Sequence, residues 1–448
     1  MDINTGDTAW VLMSAALVLL MTPALAFFYG GMVRSKSVLN MLMMSVLTIG
    51  IVTPLWVLFG FSLTFGTENA NGFIGDFSEL GLSDMLDKLA VNGGEYPIPI
   101  LVFAAFQLMF AVITPALISG AIADRAKFAA WGMFVAVWVT LVYFPVAHWV
   151  FAFGDADGNG AGWLASWGVL DFAGGTAVHV NAGAAGLALA IVLGRRIGWK
   201  RDPMRPHSLP LVMLGAGLLW FGWFGFNAGS ALGANEGAAM AFMNTQTATA
   251  TAMLGWLLVE KLRDGHATTL GAASGAVTGL VAITPSCASV TPMGSIFLGL
   301  IAGAVCAYAV GFKYKLGFDD SLDVVGVHLV GGAVGSILIG FLAAPSSVAG
   351  ATGILYGGGS AGFELLGKQT VAVLSVATFS FVAAFIIGKI IDAAIGFRID
   401  EDDEVTGIDQ VSHVETAYDF HQAFAGVRTS SVPAVEPADE KTKESVDA

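Results

Sequence analysis

The stretch DFAGGTAVHVNAGAAGLALAIVLGRR, from Asp171 to Arg196, decides the fold of the chain. An acidic residue opens it, small and apolar residues follow, and two arginines close it. About 20 apolar residues are enough for a helix to cross a bilayer. His179 lies in the middle, and ionisable side chains inside a membrane usually mark the path of a substrate or a proton. We therefore predict a membrane helix with a functional histidine.

The same pattern recurs about 150 residues later, in DVVGVHLVGGAVG, from Asp323 to Gly335. Both stretches contain the spacing His-x-x-x-Gly-x-x-Gly. The residues at these positions are His179, Gly183 and Gly186 in the first stretch and His328, Gly332 and Gly335 in the second. Two apolar helices with one motif predict a duplicated membrane fold whose site lies between the repeats.

The composition excludes an ordinary soluble domain. Of the 448 residues, 56% are hydrophobic and 12% are charged, whereas soluble proteins carry about twice that charged fraction. The apolar runs are about 20 residues long, which favours helices over barrel strands. The two cysteines, Cys287 and Cys306, lie in apolar runs and indicate neither a disulfide framework nor a metal site. We predict an all-α polytopic membrane protein that is not an enzyme and has no metal, cofactor or nucleic-acid partner.

Eleven apolar runs predict eleven transmembrane helices. They cover approximately 9–31, 39–65, 98–122, 127–151, 173–194, 208–232, 236–260, 268–284, 293–312, 325–343 and 370–396. One set of connecting loops carries thirteen lysines and arginines, and the other carries only Lys88 and Lys368. Because basic loops stay in the cytoplasm, we expect the N-terminus outside and the C-terminus inside. The loop 66–97, on the predicted outer side, is acidic.

Helices one to five and six to ten then form two inverted five-helix repeats, and helix eleven is a C-terminal addition. The predicted membrane domain covers residues 1–397, and an ordered cytoplasmic region covers 398–425. Residues 426–448 are rich in Pro, Glu, Lys and Ser, which predicts a disordered tail. Thirteen acidic and three basic residues follow from Asp400 onward, so ten of the fourteen net negative charges belong to residues 400–448.

Three interpretations of the paired histidines remain open. His179 and His328 could tether helices through a polar contact. They could relay a proton, or hydrogen-bond a small polar solute in an otherwise apolar pore. They could also ligate haem, which would make the chain a redox membrane protein.

Residues near the predicted outer mouth suggest a port for a small cation. Asp171 is suited to cap a helix, and its charge could also stabilise a cation. Phe226 and Ser230 are four residues apart and share a helix face. Gln107 and Phe110 offer a counterpart on helix three. A hydroxyl accepts an N–H group and ring faces attract cations, so these residues could receive a small cation together.

Six stretches resemble the ammonium transporters of the Amt/Mep/Rh superfamily, closest to its bacterial Amt branch. They are FYGGMVRSKSVLN near residue 28, FQLMFAVITPALISGAIADR at 106–125, DFAGGTAVHVNAGAAGL at 171–187, WFGFNAGSALGANEGAAMAFMNT at 223–245, DVVGVHLVGG at 323–332 and GIDQVSHVETAY at 407–418. The resemblance implies a homotrimer in the plasma membrane, with one pore per subunit. The roles it implies are ammonium recruitment by Phe110, Ser230 and Asp171, gating by Phe110 and Phe226, and pore lining by Trp223, His179 and His328.

One position departs from the family pattern. Members usually place a Trp shortly after the His of the fourth helix, where this chain has Phe151 after His148. Either Phe151 completes the port, or Trp163 folds back from the following loop. A Phe ring attracts a cation more weakly than a Trp ring.

The resulting hypothesis is that ammonium binds at the port and loses its proton near Asp171. Ammonia then crosses the Phe-gated, histidine-lined pore, with net charge transfer into the cell. An alternative is an ammonium sensor that signals through the C-terminal region. The resemblance also implies a PII-type signalling protein on the cytoplasmic face, where basic loops carry Arg195, Arg196, Lys200 and Arg201.

Overall fold

The computed structural model describes residues 2–67 and 71–418. These residues contain eleven long helices, which follow one another along the chain. They are α1 (Thr5–Met32), α2 (Val38–Phe65), α3 (Ile100–Ile122), α4 (Phe128–Phe151), α5 (Gly175–Leu193), α6 (Leu209–Ala231), α7 (Glu236–Asp264), α8 (Thr269–Ile283), α9 (Pro292–Leu316), α10 (Val325–Leu342) and α11 (Gly359–Ile395).

Short elements connect some of these helices. A two-stranded antiparallel hairpin, β1 (Leu89–Val91) and β2 (Glu95–Pro99), leads directly into α3. The short helical segments are Leu80–Leu82, Trp163–Ser166, Ile354–Tyr356, Glu401–Thr406 and Asp409–His413. The described residues are therefore mostly helical, as the sequence predicts.

Nine helices of the described chain are long and apolar enough to cross a membrane, which identifies a multi-pass membrane protein. The other two long helices occupy the positions of the remaining predicted runs. Of these, α7 ends in the charged residues EKLRD and α8 has 15 residues. Eleven crossings, and their orientation, stay predictions.

The two histidine-bearing helices begin with wide π-helical turns. Residues Gly175–Val180 open α5 and residues Val325–Leu329 open α10, and each turn contains the histidine of its helix. Wide turns of this kind occur frequently at functional sites. They distinguish these segments from the regular α-helix that the sequence pattern predicts.

The glycines of the shared motif let α5 and α10 cross closely. A Cβ atom at Gly183 would lie 2.4 Å from the backbone nitrogen of Leu329, beside His328. A Cβ atom at Gly332 would lie 2.8 Å from the Gly175 carbonyl oxygen and 3.0 Å from the His179 Cβ. The first glycine of each motif therefore admits the histidine turn of the other helix, and small residues at such crossings are typical of membrane helices.

One face of the molecule, which we call the basic face, collects the cationic loops. Arg196 donates to Asp319 at 2.9 Å and to Asp124 at 3.2 Å, and Arg34 donates to Asp124 at 3.1 Å. Arg125 is fully buried and donates to the Asp319 carbonyl oxygen at 2.6 Å. Burial lowers the pKa of Arg125 to about 10, so its guanidinium stays charged at neutral pH.

The residues after α11 pack on this basic face. Glu404 accepts from Arg398 at 2.7 Å and from the backbone N–H of Ile197 at 2.7 Å. Asp409 accepts the N–H groups of Leu39 and Asn40, at 3.0 and 2.8 Å, and so caps α2. Residues 398–418 of the predicted segment 398–425 lie within the described chain, and its bounds stay a prediction. Residues 419–448, including the predicted tail, lie outside the described residues.

Candidate functional site

A cavity of about 250 Å³ opens on the face opposite the basic face, and we call it the vestibule. It brings together residues from several helices and loops. Its walls are formed by Asn92, Tyr96, Gln107, Phe110, Phe151, Phe153, Val169, Leu170, Asp171, Phe172, Ser230, Leu232, Ser289 and Ala349. All four residues predicted to bind substrate, Phe110, Phe151, Asp171 and Ser230, are among them.

Asp171 lies at the base of the vestibule and caps α5. Its Oδ1 atom accepts the backbone N–H groups of Gly174 and Gly175 at 2.9 and 2.6 Å. Its Oδ2 atom accepts the N–H of Thr176 at 2.7 Å and that of Ala177 at 3.3 Å, and the Thr176 hydroxyl also donates to it. Gly174 has φ = 112°, a left-handed conformation that glycine adopts without strain.

These contacts favour the ionised form of Asp171. Burial raises the pKa of this carboxyl, and hydrogen bonds from Thr176, Gly175 and Gly174 oppose the rise. Four of its five hydrogen bonds come from backbone N–H groups, which can only donate, so the ionised carboxylate matches its surroundings best. A buried carboxylate at the end of a cavity attracts cations.

A column of aromatic rings leads inward from the vestibule. The ring of Phe151 lies 6.4 Å from that of Phe110, and Phe110 lies 4.4 Å from Phe226. Phe110 and Phe226 are both fully buried, and Phe110 also lines the vestibule. Ser230 donates its hydroxyl to the Phe226 carbonyl oxygen at 2.9 Å, which leaves its own oxygen available as an acceptor.

The column continues to the two histidines. His179 stacks on Trp223 at 5.4 Å and on Phe226 at 6.0 Å. His328 stacks on His179 at 5.3 Å, and the two Nδ1 atoms are 3.3 Å apart. Trp223 donates its indole N–H to Thr284 at 2.9 Å, which fixes the ring beside the histidines. Every residue predicted to line the pore or gate it therefore lies in one continuous column.

This arrangement does not fit haem ligation by the histidine pair. Two axial imidazoles hold an iron and a porphyrin plane between them. With metal–imidazole bonds of about 2 Å, the two nitrogens would lie about 4 Å apart. In this structure the two Nδ1 atoms are only 3.3 Å apart, and α5 and α10 cross so closely at Gly183 and Gly332 that no porphyrin fits between the imidazoles.

The question of which ring completes the port concerns Phe151 and Trp163. Phe151 lines the vestibule, next to Phe110. Trp163 instead packs on Trp149 at 5.9 Å and on Phe73 at 6.4 Å, away from the vestibule lining. Of the two alternatives, the geometry favours Phe151.

Sequence reasoning missed two features. The hairpin residues Asn92 and Tyr96 line the vestibule, although the sequence analysis noted only acidity in their loop. Asp320 caps α10 by accepting the N–H groups of Val324 and Val325 at 3.1 and 2.8 Å, as Asp171 caps α5. The signal for Asp320 was available, because each capping acid precedes its histidine by eight residues.

The fold and the site define a multi-pass membrane protein in which a surface cavity lies at one end of a column of stacked rings and a buried histidine pair lies at the other. The model of the Ammonium Transporter Family matches residues 9–418. The ammonium transporter of Mycobacterium tuberculosis (strain ATCC 25618 / H37Rv) is 56% identical over 442 residues, covering 94% of this chain and 92% of the relative. That of Bacillus subtilis (strain 168) is 46% identical over 417 residues, covering 92% and 98%.

Solved structures agree with these matches. The crystal structure of Candida albicans Mep2 superposes with a TM-score of 0.81 at 31% identity, covering 98% of this chain and 95% of that one. The chain belongs to the Ammonium Transporter Family.

Proposed function

We propose that this protein transports ammonium across the plasma membrane as a homotrimer, with one pathway in each subunit. The observation that carries the proposal is the unbroken column from the vestibule, past Asp171, to the histidine pair. The relatives named above are ammonium transporters, which supports transport rather than a sensor whose main output is the C-terminal region.

Recruitment takes place in the vestibule. Ammonium offers four N–H donors and no acceptor, so it needs oxygen acceptors and ring faces. The Ser230 hydroxyl is an acceptor, and the rings of Phe110 and Phe151 supply cation–π attraction. The Asp171 carboxylate stabilises the cation through its charge, because its own oxygens are occupied by donors.

Deprotonation precedes passage through the rings. A cation at the bilayer centre costs at least about 2.5–3.5 kcal/mol, whereas neutral ammonia avoids most of that cost. Ammonia passes Phe110 and Phe226 and then meets the imidazoles, whose nitrogens can accept its N–H groups or donate to its lone pair. His179 is suited to this exchange, because its Nε2 atom has no hydrogen-bond partner within the described chain.

Net charge transfer would couple uptake to the membrane potential. If the proton also crosses, through His179 and His328, each event moves one positive charge, worth about 2.3 kcal/mol per 100 mV. That energy supports about fifty-fold accumulation. If the proton stays outside, the pathway conducts neutral ammonia without concentrating it.

The test is charge movement in proteoliposomes after an ammonium jump at fixed pH. We expect a saturable inward current that disappears in Asp171→Ala. The matched control is Asp155→Ala, which removes an exposed acid from the loop after α4 and should keep the current. Luminal alkalinisation without a current would mean that the protein conducts neutral ammonia and transfers no net charge. If the wild-type protein gave neither a current nor alkalinisation, the proposed transport itself would be contradicted.

A further inference from the structure

The β1–β2 hairpin forms one wall of the vestibule. Asn92 and Tyr96 line the vestibule, and the same two residues also line a neighbouring surface hollow beside Phe153. The hairpin therefore separates two cavities. Its second strand ends at Pro99, where α3 begins, so it continues directly into the helix that carries Gln107 and Phe110.

Three hydrogen bonds join the hairpin turn to the segment after α4. The Asn92 amide nitrogen donates to the Phe151 carbonyl oxygen at 2.9 Å, and the Asn92 amide oxygen accepts the Phe153 N–H at 2.7 Å. Gly93 donates its N–H to the Gly154 carbonyl oxygen at 2.8 Å. A Cβ atom at Gly93 would lie 2.7 Å from the Phe153 Cβ, so only glycine permits this approach.

Asn92 is thus placed to position Phe151. Its side chain is buried, and it satisfies two backbone groups on either side of Ala152. Removing the amide would leave these groups without their partner, and buried backbone groups without partners force local rearrangement. Phe151 would then lose the contact that fixes its ring near Phe110.

Tyr96 adds a polar group to a port that is otherwise rich in Phe. Burial raises the pKa of its phenol, so the hydroxyl is neutral at physiological pH and its oxygen can accept an N–H group. The ring face attracts a cation as Phe110 and Phe151 do.

We propose that the hairpin is part of the recruitment site, with Tyr96 as a specificity-determining acceptor for the cation and Asn92 as the residue that positions Phe151. The proposal rests on the proposed ammonium transport and deepens it. It adds a wall supplied by a loop to a site otherwise built on helices.

The first experiment compares Tyr96→Phe with wild-type protein in the same current assay. The substitution keeps the ring and removes only the hydroxyl. Because one hydrogen bond to a charged group is lost, we expect the half-saturating ammonium concentration to rise about tenfold to a hundredfold. The maximal current should not change, since the passage beyond the port is intact. An unchanged half-saturating concentration overturns the role of Tyr96.

The second experiment tests whether Asn92 acts through Phe151. Asn92→Ala should raise the half-saturating concentration in wild-type background and have no further effect in Phe151→Ala, whereas independent residues would give additive effects. Asn71→Ala is the matched control, because the Asn71 side chain accepts the N–H groups of Phe73 and Ile74 outside the vestibule. Additive effects, or equal effects of Asn92→Ala and Asn71→Ala, overturn the positioning role.

The outcomes separate this inference from the proposed function. A wild-type protein that gives neither current nor alkalinisation contradicts ammonium transport itself. If the wild-type protein transports ammonium but the hairpin variants behave like the Asn71 control, only the inference about the hairpin is contradicted. If Asn92→Ala does not fold, Tyr96→Phe still decides whether the hairpin belongs to the site.

Discussion

The N-termini of α5 and α10 are each capped by a buried aspartate, but the two caps have different electrostatic surroundings. On the vestibule side, Asp171 precedes His179 by eight residues and accepts the first N–H groups of α5. On the basic face, Asp320 precedes His328 by eight residues and does the same for α10. Lys313 lies at the second end, where it donates to the Asp320 carbonyl oxygen at 2.8 Å.

The two capping aspartates differ in whether a fixed cation lies near the carboxylate. Lys313 also pairs with Asp323 at 2.6 Å, so Asp320 has a fixed cation beside it that partly compensates its charge. Asp171 has no ion-pair partner within the part of the chain that the structure describes. An uncompensated buried carboxylate can stabilise an incoming cation, whereas a compensated one mainly holds its helix in place. The same cap is therefore suited to recruitment at one end and to structure at the other.

The largest expected effect comes from neutralising each cap in turn. Asp171→Asn should lower the ammonium current about 100-fold or more, because a nearby charge in a partly buried site is worth about 2–4 kcal/mol. Asp320→Asn removes a charge that the neighbouring Lys313 partly compensates, so we expect a loss below about tenfold. The measurement is the initial current in proteoliposomes. Equal losses in the two variants would contradict the distinction between the two ends.

A second prediction concerns the ion pairs of the basic face. Arg196→Gln leaves the buried carboxylates of Asp319 and Asp124 without their main partner, and breaking a buried pair costs about 3–5 kcal/mol. We expect a clear fall in the melting temperature of detergent-solubilised protein. Arg195→Gln is the control, because Arg195 is exposed and lies over the Trp199 ring. Similar melting temperatures for both variants would show that the network is not a structural anchor.

The smallest expected effect concerns the N-terminus of α2, which lies at the basic face. Ser37 makes no side-chain capping bond there, and Asp409 supplies the cap from the C-terminal region. Losing a cap costs about 1 kcal/mol. Asp409→Ala should therefore speed amide hydrogen exchange at Leu39 and Asn40 about fivefold, whereas Glu415→Ala, at an exposed position, should not. Unchanged exchange in Asp409→Ala would mean that α2 is stable without this contact.

The sequence was a good guide to the helices and to the residues in the column. The long helices coincide with the apolar runs, because an apolar run long enough to cross a bilayer has little choice but to form a helix. The pairing of His179 with His328 follows from the shared spacing to Gly183 and Gly332, since each glycine admits the histidine turn of the other helix.

The sequence pattern could not predict which loop residues line the site. Asn92 contacts the segment after α4, about 60 residues away in sequence, and Tyr96 lines the vestibule from the same hairpin. No periodicity encodes that contact. The preference for Phe151 over Trp163 depends on the same loop packing, because Trp163 is held by Trp149 instead. Asp320 was overlooked because Asp323 is the nearer acid to the second motif.

The π-helical turn at Gly175–Val180 has a consequence for helical phase. Such a turn contains one residue more than an α-helical turn, and each residue of an α-helix advances the side chains by about 100°. Deleting a single residue between Asp171 and His179 would therefore rotate the imidazole away from Trp223 while leaving the composition almost unchanged. The spacing of eight residues at both ends therefore sets the direction of each histidine, and insertions or deletions should be tolerated in loops away from the vestibule but not within either interval.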